Sequence, residues 1–63
     1  MIRMANDIDM WNDIETLEKE GEQKKADDLL NCFRANFDWG DKDRAEDFKE
    51  AFEKKYGYWG NYY

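Results

Sequence analysis

The chain contains no histidine, no serine, no proline and no valine, and its only cysteine is Cys32. Without histidine there is no imidazole to activate a nucleophile, no neutral general base near pH 7 and no nitrogen ligand for a metal. Without serine the commonest hydroxyl nucleophile is missing as well. A lone cysteine forms no internal disulfide and lacks the companions of a zinc site, which fits a reducing compartment. No long apolar run occurs either. The opening MIRMANDIDMW has a polar residue at every second or third position. It therefore reads as neither a secretory signal nor a membrane span, and the expected location is the cytoplasm of the cell that makes it.

Carboxylate pairs remain for acid and base work, but a small helical chain has little room for a water-excluding cleft. Catalysis is not expected, nor is a bound cofactor or metal. DWGDKDRAED carries five acids, yet in no register does it place acids at positions 1, 3 and 5 with glycine at 6 and glutamate at 12, as a calcium-binding helical loop requires.

What is present points to a folded domain. Of the 63 residues, 41% are charged, 41% are hydrophobic and 17% are aromatic. Disordered chains are poor in aromatics, so residues 1–63 are read as one small domain. A domain of this size buries only about 60% of the surface its unfolded chain exposes, which makes every core side chain count.

Three helices are predicted, over about 7–20, 23–36 and 43–56, followed by a tail at 57–63. In the first, Ile8, Trp11, Ile14 and Leu17 recur every three residues, a stripe that slants around the cylinder and that Met4 or Met10 would widen. Asn6 or Asp7 can cap its start, and Gly21 stops it. The second has Ala26, Leu29, Leu30, Phe33 and Phe37 on one face. The third opens with Asp43 and Glu46 at capping-box spacing, continues through Ala45, Phe48, Ala51, Phe52 and Tyr56, and closes at Gly57. An all-α, compact three-helix bundle with an aromatic C-terminal tail follows.

Leucine and isoleucine number three each against eleven aromatics, so the core is expected to centre on Trp11, Phe33, Phe37, Phe48 and Phe52. Trp39 is expected to close an end of the bundle, and Cys32 to pack beside the apolar face. On that count Tyr58, Trp59, Tyr62 and Tyr63 are surplus. Either Trp59 folds back over an open end of the bundle while the tyrosines lie along its flank, or the tail is a contact patch for a partner. A compromise turns Trp59 inward and leaves Tyr62 and Tyr63 available.

Charge is concentrated as well. Residues 1–22 hold seven acids against two bases, and residues 23–63 hold nine acids against eight bases, within a net charge of −6. Asp9, Asp13 and Glu20, with Thr16 between them, form one stripe about 16 Å long, opposite the presumed buried face. The stripe is either a solvated face or a surface that meets a basic partner by imitating the phosphates of a nucleic-acid backbone. Direct nucleic-acid binding is disfavoured, because Lys24, Lys25, Lys54 and Lys55 lie among acids.

In size, acidity and lack of catalytic residues the chain is similar to the small acidic proteins with which many bacteriophages bind and block host proteins, anti-restriction and anti-CRISPR factors among them. That resemblance implies an inhibitor or adaptor with a host protein as partner. The resemblance carries over no residue; the acid stripe and the aromatic tail give the expected contact residues as Asp9, Asp13, Glu20, Tyr58, Trp59, Tyr62 and Tyr63. Two other readings stay open: a structural or assembly subunit that pairs with a second copy or docks into a larger complex through the tail, and a carboxylate-based enzyme or metal protein.

Overall fold

Three α-helices follow one another: α1 at Ala5–Lys19, α2 at Gln23–Phe33 and α3 at Lys42–Tyr56, with a π-helical segment at Arg34–Asp38 continuing α2. The computed structural model describes residues 5–59 and 62, with side chains from residue 7 onward. Met4 and Tyr63, both named above, lie outside the described residues. No strand occurs among the described residues, and the fold is the all-α three-helix bundle expected from the periodicity.

Local chemistry sets each helix end. The Glu22 amide donates to the Leu17 carbonyl at 2.9 Å and the Gly21 amide to the Glu18 carbonyl at 3.2 Å, the two bonds of a Schellman motif. That motif needs a left-handed backbone at its C′ residue, and Gly21 has φ 83°. The glycine therefore breaks the run of helix formers in EKEGEQKK, and Glu20 becomes the cap of α1 rather than part of its body.

After α2 the helical path widens instead of stopping. The Trp39 amide reaches the Arg34 carbonyl, five residues back, at 2.7 Å, and the Asp41 amide reaches Ala35 at 3.0 Å. The path thus extends to Asp38, two residues past the expected end at 36.

Asp41, not Asp43, caps α3. Its carboxylate accepts from the Arg44 amide at 3.1 Å, because its own backbone, at φ −97° and ψ 90°, is still non-helical. Asp43 falls inside the first turn, where its charge favours the positive end of the helix. At the other end Gly57, with φ 93°, donates its amide to the Glu53 carbonyl at 2.8 Å.

α2 is the central element. α1 and α3 each pack against it, while among the described residues they make little direct contact with each other. The tail fills the space between them. Trp59 and Tyr62 are each only 6% exposed and join Met10, Ile14, Ala26, Leu29, Cys32 and Phe52 in one core cluster. The Trp59 ring stands edge-on to Phe52 of α3 at 5.6 Å and to Tyr62 at 5.3 Å. Such contacts add to the area these rings bury.

The centre of the core differs from the sequence expectation. α1 buries Met10, Ile14 and half of Leu17, residues four and three apart that lie within about 60° of one another at 100° per residue. Trp11 sits about 90° from that face and is 44% exposed; Ile8, about 150° away, is 61% exposed. Phe33, Phe37 and Phe48 are half-buried, leaving Phe52 as the fully enclosed phenylalanine. Ala51 is exposed, while Ala35 packs inside. Trp39 does not close the bundle end: it stays 51% exposed, with the Arg44 guanidinium 5.9 Å from its ring centre.

Candidate interaction surface

The rotation of the buried face of α1 repositions the acid stripe. With Met10, Ile14 and Leu17 inward, Asp13 lies only about 70° from the centre of the buried face and Asp9 about 110°, so the stripe borders the core instead of opposing it. Asp13 consequently meets the tail, and the Tyr62 hydroxyl donates a hydrogen bond to its Oδ2. Burial first, and then the bond to Asp13, push the Tyr62 phenol well above its ordinary range, because a phenolate there would lose its solvation and face a carboxylate.

Asp9 and Glu20 are exposed. Among the described residues no ion pair forms on Asp9, Asp13 or Glu20. Of the tail residues named as contacts, Trp59 and Tyr62 are in the core and Tyr58 is 56% exposed. The expectation that Tyr62 would be available to a partner is thus corrected: its ring is packed and its hydroxyl is occupied. Tyr58 and Tyr56 flank the Lys25 ammonium, which lies 5.5 and 5.2 Å from their ring centres.

A second polar cluster fastens α3 to α2. Asp28 Oδ2 accepts from the Tyr56 hydroxyl at 2.6 Å and from Lys55 Nζ at 3.1 Å. Burial alone would push the Asp28 carboxyl up. The hydrogen bonds from Tyr56 and Lys55, with the charges of Lys55 and Lys24, outweigh it and hold the carboxyl below its usual range. Cys32, on the neighbouring turn, has its thiol pushed up to about 12 by burial and then by the Asp28 charge, so it is a packed group and a poor nucleophile.

The sequence reading missed the exposed ridge of Ile8 and Trp11. Trp11 packs on Phe33 with ring centres 5.5 Å apart, and Phe33 packs on Phe37 at 5.0 Å, so the Phe33 ring at the end of α2 touches both α1 and the π-helical segment. The signal was available: Met10, Ile14 and Leu17 satisfy the usual four-and-three spacing without Ile8 or Trp11.

Among the described residues the enclosed spaces are small. One cavity of 190 Å³ lies between α2 and α3 beside Asp28 and Phe48, and another of 170 Å³ between α1 and the tail beside Asp13 and Tyr58. Both are below the about 300 Å³ at which small-molecule sites usually begin. A larger depression of 540 Å³ over Glu50, Ala51, Glu53 and Lys54 is an open face of α3. Among the described residues no cluster of three or more acids or cysteines is placed to hold a metal, and no helix is long and apolar enough to cross a membrane. Comparison with family models, with characterised proteins and with solved structures finds no match to this chain.

Proposed function

We propose that the protein is a small acidic protein-binding module whose partner is met by the acidic flank of α1. The observation that supports this reading is the uncompensated charge on that helix. Asp9 and Asp13, four residues apart, repel one another by a few tenths of a kcal/mol, and among the described residues neither Asp9 nor Glu20 forms an ion pair. A complementary basic surface would supply the relief. A basic groove that tracks phosphates is one such surface, and the favoured partner is a host protein that handles nucleic acid. The carboxylate row then takes the place of a phosphate row, in the manner of a phage-type inhibitor or adaptor.

The test uses affinity capture from host extract with the wild-type chain and with an Asp9→Lys, Glu20→Lys double variant, which spares the Asp13 bond to Tyr62. The captured protein is then purified and competed with duplex DNA. Capture is expected to be lost on charge reversal, and DNA is expected to displace the module. Capture that ignores the reversal rejects the acidic face, and simultaneous binding of DNA and module rejects mimicry.

A further inference from the structure

Asp13, Thr16 and Tyr62 line the 170 Å³ cavity between α1 and the tail, and both hydroxyl hydrogens among them are already committed. The Thr16 hydroxyl donates to the Asn12 carbonyl at 2.9 Å, and the Tyr62 hydroxyl donates to Asp13 Oδ2. A carbonyl and a carboxylate only accept, so the two hydroxyls are the donors. Their oxygens and the carboxylate keep lone pairs, and this side of the cavity therefore offers acceptors with no side-chain hydrogen left to give.

The α2 side has the opposite polarity. Lys25, half-buried in the same cavity, carries three donors and no acceptor. Its ammonium is held beside the Tyr56 and Tyr58 rings, 5.2 and 5.5 Å from their centres. Among the described residues neither Lys25 nor Asp13 forms an ion pair, with the other or with any third group. Leu17, Leu29 and Phe52 make the lining otherwise apolar.

We infer that this cavity binds a small zwitterion, an amino acid whose ammonium is taken by the acceptors of Asp13, Thr16 and Tyr62 and whose carboxylate is taken by Lys25. The site goes beyond the protein-binding reading and does not depend on it. Its size suits that class: at about 30 Å³ for each water, 170 Å³ has room for about six waters, the bulk of alanine rather than of a drug-sized ligand. A ligand with one charge would match one side and leave the other charge unmatched. A divalent cation would find a single carboxylate, where such ions take six or more oxygens, and would face the Lys25 ammonium.

The experiment titrates the isotope-labelled full-length chain with L-alanine near pH 7 and follows the amide resonances by NMR. Two probes run beside it: L-alaninamide, which lacks the carboxylate, and N-acetyl-L-alanine, which lacks the ammonium. Alanine is expected to shift the amides near Asp13, Lys25 and Tyr58 saturably, with half-saturation at about 1–10 mM, as suits so small a ligand at a partly open site. Each probe of single charge is expected to bind about tenfold more weakly or worse. Asp13→Asn, which can still accept from Tyr62, and Lys25→Met, which keeps the aliphatic stem, should each weaken alanine by a similar factor. Equal shifts from all three compounds, shifts that never saturate, or no shifts at all overturn the site. Alanine binding that neither substitution weakens overturns it as well. If a variant fails to fold, the comparison of the three compounds on the wild-type chain decides alone.

Discussion

Trp59→Ala is the sharpest test of the architecture, because Trp59 occupies the space where α1 and α3 have little contact of their own. The indole is 6% exposed and stands against Phe52 and Tyr62. Truncating a buried tryptophan costs about 3–5 kcal/mol from lost transfer energy and the cavity left behind. A 63-residue domain has in total about 3–9 kcal/mol to lose, at 0.05–0.15 kcal/mol per residue. Each kcal/mol shifts Tm by about 4–8 °C in a domain of this size, so the variant should melt at least 12 °C lower or fail to fold at room temperature. The control is Tyr58→Ala, one residue earlier but 56% exposed, which forfeits the Lys25 contact, about 0.5–1 kcal/mol. Thermal melts by far-UV circular dichroism, with urea titrations alongside, measure both. A Trp59→Ala melt within about 5 °C of wild type, or a Tyr58→Ala loss of equal size, would refute the claim that the tail is part of the core.

Further expectations follow from single groups. Tyr62 has a folded-state pKa above its unfolded value of about 10, so the stability it contributes is complete below that pH and declines as pH rises through the folded value. Base titration of the unfolding free energy should show this decline, and Tyr62→Phe should flatten it while costing about 1–2 kcal/mol at pH 7 through the lost bond to Asp13. In acid the depressed Asp28 carboxyl works the other way: its contribution is present above the ordinary carboxylate pKa and is lost as pH falls through the folded value, which Asp28→Asn should abolish. Cys32 should react with a thiol reagent only as fast as the chain opens, so labelling at the rate of an exposed thiol would contradict its burial. Gly57→Ala meets no atom within 4 Å yet forces φ 93° on an alanine, for an expected loss of about 1–2 kcal/mol in a urea titration.

The helices were legible because their boundaries are written in local chemistry. Gly21 and Gly57 stop α1 and α3 by accepting a left-handed backbone, and the apolar spacing of α2 leaves one face available. The face of α1 was not legible, since two stripes compete there. Ile8, Trp11, Ile14 and Leu17 offer more apolar area, but Met10, Ile14 and Leu17 offer better alignment along the axis, and packing on α2 chose alignment. The fate of the tail depended on that choice. Counting Trp11, Phe33, Phe37 and Phe48 as fully enclosed made Trp59 and Tyr62 surplus; with those four at the margin, the two become necessary filling. An irregular tail carries no periodicity to announce this. The cap of α3 was misplaced by two residues because both Asp41 and Asp43 suit the role, and only the backbone after Gly40 decides between them.

The hydrogen bond from Tyr62 to Asp13 joins residues 49 positions apart, in a fold whose other contacts are largely between neighbouring elements. Helical bundles fold quickly because most of their contacts are local, and closing a loop this long is an entropic cost met only once the helices have assembled. The tail should accordingly lock in after the rate-limiting barrier. Tail substitutions are then expected to accelerate unfolding while leaving the refolding rate nearly unchanged, so the lifetime of the native state is governed by the strand of chain that arrives last.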